Sequence, residues 1–482
     1  MNNKQVGTKV VSGISWTFAE RILAQGVSFL VSIVLARILA PDAYGVIAIV
    51  LVFINIANVF VSNGLGEALV QRDEIDETEY STVFWMSFVL SIVLYIFIFF
   101  LSPIIANYYN IDVLTPALRV LGLKLIFSSL NTVQHAYISK KMQFRRFFFA
   151  TLGGTLTSAV VGIVMAVLGF GIWALIAQYL INTVMDTIIL QFSIEWRPTF
   201  VFSMPACKQL FSYGWKLTAS ALIIATYNEL RSMIIGKVYS TEELAYYNRG
   251  NHFPSVLINN LNAAIGKVFF PMMVALNKDI SELKKFTRKT LQMSSYLIFP
   301  LLTWMIVCAK PIIIIILTEK WLPSVPYMQI LCLFWITQPM QTTNWQVLKA
   351  VGRSDLCMKL EILKKAVGIV LIILTMKISV IALAWSAVAF AFFSTIVNMW
   401  PIPKLINYSF FEQFKDILPI IVCCVTSGLL SWTFSYFVSN MYILLITQSI
   451  VGLLSYYLFS KMLCRDLLSH VRSLLHSIIN RK

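Results

Sequence analysis

Apolar residues occur in fourteen long runs along the chain, and short polar segments separate these runs. A helix needs about 20 apolar residues to cross the hydrocarbon core of a bilayer, and the runs have roughly that length. The predicted spans are residues 12–38, 43–64, 83–106, 114–137, 147–168, 171–192, 210–236, 251–275, 291–317, 326–348, 361–377, 379–400, 417–438 and 440–463. The pattern therefore predicts an all-α, polytopic membrane protein in which every span is a helix.

The composition of the chain agrees with this pattern. Of its 482 residues, 58% are hydrophobic and 12% are charged, and the mean hydropathy is +0.78. Soluble domains carry about 25% charged residues, so this composition excludes a soluble globular protein. The net charge of +16 does not indicate nucleic-acid binding, because the Lys and Arg residues lie in the short segments between spans. Their bias toward alternate segments predicts that both termini are cytoplasmic.

The chain also contains an internal repeat. Residues 118–145 align without gaps with residues 328–355, and residues 171–175 align with residues 379–383. Parallel repeats are typical of secondary transporters, and a channel or a scaffold is the alternative. The predicted divisions are two pseudo-symmetric six-helix lobes at 12–192 and 208–400, two extra helices at 417–463, and a cytoplasmic amphipathic tail at 464–482. The tail is predicted to lie on the inner membrane surface.

Polar side chains follow one face of several spans. In span 1, Thr17, Arg21, Gln25, Ser28 and Ser32 are three or four residues apart, so they share a helix face. A charge at the centre of a span costs roughly 2.5–3.5 kcal/mol on insertion scales, and such residues usually face a water-filled interior. The repeat brings the polar faces of spans 1, 2, 7 and 8 to the interface between the predicted lobes, where they would line a cavity.

The charges inside the spans are mostly positive, which favours an anionic substrate such as a phosphate group. The candidate substrate-binding residues are Arg21, Lys267, Arg231, Lys124, Gln25, Asn55, Asn259 and Asn262. Glu20 and Glu229 are candidates for charge pairing or ion coupling. Interhelical hydrogen bonds and ion pairs are the alternative role for these side chains.

Two connecting segments carry opposite charge at equivalent positions of the repeat. The segment after span 2 is acidic and includes Asp73 and Glu77, and the segment after span 8 is basic and includes Lys284 and Lys285. Both segments are predicted to be cytoplasmic, so ion pairs between them would close a cytoplasmic gate. The alternative is that both segments are merely solvated, because exposed ion pairs contribute little.

The sequence lacks the common catalytic and nucleotide-binding motifs. It contains no G-x-x-x-x-G-K-[ST], H-E-x-x-H or G-x-S-x-G segment. The seven cysteines and four histidines are not spaced as metal ligands or as a disulfide framework. We therefore predict no catalytic residues, no metal and no cofactor. The energy for transport would come from a gradient of a coupling ion, H⁺ or Na⁺, from the membrane potential, or from consumption of the product.

Four segments resemble a known family of membrane proteins. They are LARILAPDAYGVIAI at 35–49, GLGEALVQRDEIDETEYSTVFW at 64–85, FFPMM at 269–273 and EKWLPSVPYMQIL at 319–331. Together with the span count and the repeat, they resemble the Wzx-type polysaccharide flippases of the multidrug/oligosaccharidyl-lipid/polysaccharide exporter superfamily. The subfamily that they resemble is that of colanic acid, succinoglycan and teichuronic acid exporters.

The resemblance implies a flippase of the bacterial inner membrane. It would move undecaprenyl-pyrophosphate-linked oligosaccharide from the cytoplasmic to the outer leaflet by alternating access, for exopolysaccharide or lipopolysaccharide biosynthesis. Arg21 and Lys267 would hold the pyrophosphate. Membrane lipids, a polysaccharide polymerase and glycosyltransferases are the partners that the resemblance implies.

Two other functions remain as alternatives. A cation-coupled multidrug antiporter of the same superfamily is the first, and acidic residues would be expected to dominate its cavity. A membrane-embedded glycan polymerase is the second, and it would be expected to carry a large outer loop.

Overall fold

The computed structural model describes residues 23–62, 66, 69, 76–141 and 143–479, and this part of the chain contains helices and no strand. The helices are α1 (Leu23–Ile38), α2 (Pro41–Ser62), α3 (Glu77–Tyr109), α4 (Leu114–Lys141), α5 (Phe144–Val167), α6 (Ile172–Ser193), α7 (Met204–Val238), α8 (Thr241–Ala275), α9 (Ile280–Val307), α10 (Ala309–Leu317), α11 (Ser324–Trp335), α12 (Gln338–Ala350), α13 (Ser354–Thr375), α14 (Val380–Met399), α15 (Ile402–Ile406), α16 (Phe410–Thr433), α17 (Met441–Leu463) and α18 (Arg465–Ile479).

In the described part of the chain, each of the fourteen predicted spans coincides with one helix or with two consecutive helices, which confirms the predicted fold class. Eight helical segments in the described part are long and apolar enough to cross a membrane. They are α2, α3, α5, α6, α9, α14 with α15, α16 and α17. The long helices α4, α7 and α8 fall outside this set, and they carry six of the ten candidate residues for substrate binding or charge pairing.

Spans 9 and 10 differ from the prediction because each is divided into two helices. Span 9 is interrupted at Cys308, and span 10 is interrupted between Trp335 and Gln338. A proline lies four residues after the last residue of α9 and of α11, at Pro311 and Pro339. Proline has no backbone N–H, and its ring clashes with the carbonyl group four residues earlier, so the helical hydrogen-bond ladder is lost at these places.

The chain divides into two compact units, residues 1–245 and 246–482. In unit 1, α4 packs against α2, α3 and α6, while α5 pairs with α6. In unit 2, the equivalent chain of α11 and α12 packs against α9 and α14, while α13 pairs with α14. This common pattern agrees with the predicted pseudo-symmetry. The lobe boundaries at 12–192 and 208–400 stay a prediction, and α7 packs within unit 1 against α2 and α3.

Unit 2 also contains the additional helices α16 and α17, which pack against each other and against α9. Two ion pairs join α9 to the start of α16: Lys284 with Glu412, and Arg288 with Asp416. Asp416 also accepts a hydrogen bond from the hydroxyl of Tyr408 at 2.7 Å. The tail is helical as α18, and its place on the membrane surface stays a prediction.

Candidate functional site

Two of the predicted residues meet where α2 packs against α7. Asn55 donates a hydrogen bond from Nδ2 to Oε1 of Glu229, at 3.1 Å. Arg231 follows two residues later, and its Nε and Nη2 atoms are buried with no hydrogen-bond partner among the described residues. A buried charge without a partner is costly, so this position suits an anionic ligand. Substrate binding by Asn55 and Arg231, and charge pairing or ion coupling by Glu229, stay predictions.

The other predicted residues of unit 1 are more dispersed. Lys124 on α4 lies beside α6, with its Nζ atom 5.8 Å from the centre of the Tyr179 ring. Gln25 lies near the start of α1 and is exposed. Glu20 and Arg21 lie outside the described residues.

In unit 2, the predicted residues of α8 have different surroundings. Asn262 donates from Nδ2 to Oε1 of Gln338 at 3.5 Å, which links α8 to the first residue of α12. Asn259 is exposed on α8. The backbone of Lys267 belongs to α8, while its side chain is outside the described part of the structure.

The predicted gate residues are placed in part. Glu77 is exposed at the start of α3, and Asp73 lies outside the described residues. Lys284 pairs with Glu412 at 2.9 Å, and Lys285 pairs with Glu282 at 2.8 Å. Both lysines thus have acidic partners inside unit 2. The gate itself stays a prediction.

A polar cavity of about 530 Å³ lies between α2, α4 and α6 of unit 1. Nine of its twelve lining residues carry a hydroxyl, amide or carboxylate group. Its lining residues are Asn58, Ser62, Gly66, Ser128, Asn131, Thr132, His135, Ala136, Ser139, Asn182, Thr183 and Asp186. Asn58 and Ser62 follow the candidate residue Asn55 by three and seven positions, so they belong to the polar face of span 2. The sequence analysis did not single out the other ten positions as a site.

Asp186 is the centre of the hydrogen bonding in this cavity. Its Oδ2 atom accepts a hydrogen bond from Nδ2 of Asn131 at 3.1 Å, which joins α6 to α4. The Nε2 atom of His135, one turn further along α4, lies 3.7 Å from the same oxygen. The α4 helix is joined to α2 as well, because the Thr132 hydroxyl donates to the carbonyl oxygen of Val61 at 3.2 Å. Hydrogen bonds therefore connect α4 to both α2 and α6, and these three helices form the cavity.

A glycine allows α5 to support this arrangement. A Cβ atom placed on Gly154 of α5 would lie 2.9 Å from the carbonyl oxygen of Asn182 and 3.3 Å from the backbone nitrogen of Asp186. Only glycine therefore permits this close approach without a shift of the backbone. The position of Asp186 depends in this way on the tight packing of α5 against α6.

Comparison with protein families identifies the chain. The family described as "Polysaccharide biosynthesis protein" matches residues 34–326, which is more than half of the sequence. The chain belongs to this family. The resemblance found in the sequence segments is thereby confirmed.

Several curated relatives match most of the length of the chain. The "Lipopolysaccharide biosynthesis protein WzxC" of Escherichia coli is 25% identical over 74% of the chain and 73% of its own length. The "Teichuronic acid biosynthesis protein TuaB" of Bacillus subtilis is 22% identical over 78% of each chain. The "Succinoglycan biosynthesis transport protein ExoT" of Rhizobium meliloti is 23% identical over 67% of this chain and 66% of its own.

The chain shares its fold with solved structures of membrane transporters. The lipid II flippase MurJ, in an inward closed conformation, superposes with a TM-score of 0.76 at 17% identity, covering 95% of this chain and all of its own. An inward-facing multidrug transporter of the MATE family has a TM-score of 0.61 at 15% identity, covering 80% of this chain and 94% of its own. The chain thus shares the fold of these solved structures.

A polar pattern in the sequence indicates one wall of the cavity. Ser128, Thr132, His135 and Ser139 are spaced by three or four residues, so they form a polar face on α4. The spacing is the same as in the stripes of spans 1 and 2. The signal is incomplete, however, because the sequence does not state that α2 and α6 border this face.

Proposed function

We propose that this protein moves a lipid-linked oligosaccharide across the bacterial inner membrane, from the cytoplasmic to the outer leaflet, for the assembly of a surface polysaccharide. The observation that carries the proposal is its membership of the polysaccharide biosynthesis family. The fold of a flippase and the polar side chains inside its membrane-spanning helices support the same function. Both termini would be cytoplasmic, as the distribution of Lys and Arg predicts.

The physical reason for such a protein is the cost of moving the polar head of the lipid. Sugar hydroxyls and a pyrophosphate lose their hydrogen bonds to water in hydrocarbon, and an isolated charge there is prohibitively costly. Polar groups inside a helical bundle replace those hydrogen bonds, while the prenyl chain remains in the lipid. Arg21, Lys267 and Arg231 are the groups that we propose for the pyrophosphate, and an ion gradient would drive the cycle.

The test is the sidedness of the lipid-linked oligosaccharide in cells depleted of this protein. Spheroplasts are treated with an impermeant lectin or glycosidase, and the labelled or cleaved fraction of the lipid is measured. We expect the intermediate to accumulate in an inaccessible form until the protein is restored. Accessibility that is unchanged by depletion would contradict the proposal and would favour drug efflux by the same fold.

Variants of two arginines in unit 1 extend this test. Arg231→Gln removes the guanidinium whose Nε and Nη2 atoms are buried without a hydrogen-bond partner among the described residues, and it should slow transport. Arg119→Gln is the matched control, because Arg119 donates to the Ser102 hydroxyl at 3.1 Å and lies over the Phe99 ring. If the two variants were equally impaired, Arg231 would have no special role in binding the pyrophosphate.

A further inference from the structure

The cavity between α2, α4 and α6 has the size of a site for an organic ligand. Its volume of about 530 Å³ lies within the range of small-molecule sites, roughly 300–1,000 Å³. A single water occupies about 30 Å³ of liquid volume, so the cavity is much larger than a site for one water or one ion. Its occupant is therefore several waters or a polar molecule.

Several polar atoms of the wall are buried and have no hydrogen-bond partner. They are Oδ1 of Asn58, Oδ1 of Asn131 and Nε2 of His135. Asn131 as a whole is only 4% exposed. A buried polar atom without a partner costs about 1–3 kcal/mol, so an occupant that forms hydrogen bonds with these atoms would be stabilised. The two amide oxygens require an occupant that donates hydrogen bonds.

The charge of the wall restricts the kind of occupant. Asp186 is the one acidic residue among the described residues of the wall, and no Lys or Arg belongs to that set. An anion in the cavity would be repelled by the Asp186 carboxylate, and at a few ångströms such repulsion amounts to several kcal/mol near a protein surface. A neutral molecule with many hydroxyl groups meets no such repulsion. Its hydroxyls both donate to the carboxylate and amide oxygens and accept from Ser, Thr and Asn side chains.

We propose that this cavity binds an uncharged sugar residue of the oligosaccharide, apart from the basic residues proposed for the pyrophosphate. Asp186 and Asn131 accept hydrogen bonds from sugar hydroxyls, and Asn58 accepts another from the side of α2. The site excludes acidic sugars because of the Asp186 charge. This inference rests on the proposed function, since it names the part of the lipid-linked oligosaccharide that unit 1 recognises.

The test uses the purified full-length protein in nanodiscs and saturation-transfer NMR, which detects weak binding. The probes are methyl glucoside, methyl galactoside and N-acetylglucosamine as uncharged sugars, and methyl glucuronide as the acidic counterpart of the glucoside. We expect binding of at least one uncharged probe, and affinity for the glucuronide about tenfold or more below that for the glucoside. Binding of no uncharged probe, or equal binding of glucoside and glucuronide, would overturn the proposal.

Two variants test whether the binding occurs in this cavity. Asp186→Asn keeps the shape of the side chain and removes its charge, so the discrimination against methyl glucuronide should fall by about tenfold. Asn58→Leu removes one of the unpaired amide oxygens and should weaken binding of the uncharged probes without changing that discrimination. If both variants bound all probes like the wild type, the sugar site would lie elsewhere and the proposal would be wrong.

The outcome is separable from that of the sidedness assay. Normal translocation of the lipid-linked oligosaccharide without binding of any uncharged probe would overturn the sugar site alone. Specific sugar binding without any change in sidedness on depletion would overturn the proposed function and leave the sugar site standing.

Discussion

In unit 1, α4 is one continuous helix that packs against α6, while in unit 2 the equivalent chain is divided into α11 and α12, which pack against α14. The alignment of the repeat places Ser129 of α4 opposite Pro339, at the second position of α12. Ser129 is fully buried, and its hydroxyl donates to the carbonyl oxygen of Ile126. The two units thus share a packing pattern, while the helix of unit 2 is divided beside this proline.

The same alignment places the cavity residues opposite different side chains. The block at residues 118–145 pairs His135 with Trp345, and the block at residues 171–175, extended without gaps, pairs Asp186 with Ser394. The Trp345 ring lies 4.7 Å from Nζ of Lys364, which donates to Oδ1 of Asn398 at 3.1 Å. Unit 2 therefore has an indole and a buried lysine that pairs with Glu361 in this region, where unit 1 has a carboxylate and an imidazole. Equivalent folds have acquired different chemistry, and the polar cavity belongs to unit 1.

The largest loss of stability is expected when a proline is introduced into α4 at the position equivalent to Pro339 of unit 2. Ser129→Pro should destabilise the protein by about 3 kcal/mol or more, because proline removes a hydrogen bond from the interior of α4. The substitution also removes the hydroxyl that accepts a hydrogen bond from Ser91 at 3.1 Å. The midpoint of thermal unfolding in detergent measures the change. Pro339→Ala is the counterpart and should leave the midpoint close to that of the wild type, whereas an equal loss for both variants would contradict the comparison.

The next largest loss of stability is expected from a change in the packing of α5 against α6, which positions Asp186. Gly154→Ala should destabilise the protein by about 1–3 kcal/mol, because the new methyl group meets the backbone of α6 and α6 must shift. Gly26→Ala on α1 is the matched control, since no atom lies within 4 Å of the added Cβ. Thermal unfolding of both variants provides the measurement. If Gly154→Ala unfolded like the control, the close approach of α5 to α6 would not be required.

An effect of similar size is expected for the buried carboxylate that joins α9 to α16 in unit 2. The Asp416 side chain is 3% exposed and accepts hydrogen bonds from Arg288 and Tyr408. Asp416→Asn should lower the free energy of unfolding by about 1.5–3 kcal/mol, as expected for a hydrogen bond to a charged group. An SDS titration of the purified protein measures this quantity. An unchanged free energy would mean that the contact contributes no stability.

The smallest effect is expected for the more exposed ion pair beside it. Lys284→Met removes the partner of Glu412, and their side chains are 28% and 43% exposed. Exposed pairs contribute about 0–1 kcal/mol, so the loss should be within that range and should shrink in high salt. The same SDS titration, repeated at two salt concentrations, checks both statements. A loss larger than that of Asp416→Asn would reverse the order that burial predicts.

The sequence predicted the helices well because the length of an apolar run is a local property. It did not predict the interruptions of spans 9 and 10. Pro103, Pro254, Pro271, Pro300 and Pro419 lie inside helices that remain continuous, so a proline alone does not determine a break. The pairing of Asn55 with Glu229 and the cavity around Asp186 were also absent from the sequence reading. Both depend on which helices are neighbours, and a helical periodicity does not contain that information.

The most direct test that the functional cavity lies in unit 1 compares Asp186→Ala with Ser394→Ala, at equivalent positions of the two units. The rate at which lipid-linked oligosaccharide becomes accessible at the outer leaflet is measured in spheroplasts that contain equal amounts of each folded variant. We expect Asp186→Ala to lower this rate by roughly tenfold or more, because hydrogen bonds to the sugar are lost. The rate of Ser394→Ala should stay near that of the wild type. Equal rates for the two variants would contradict the assignment of the functional cavity to unit 1.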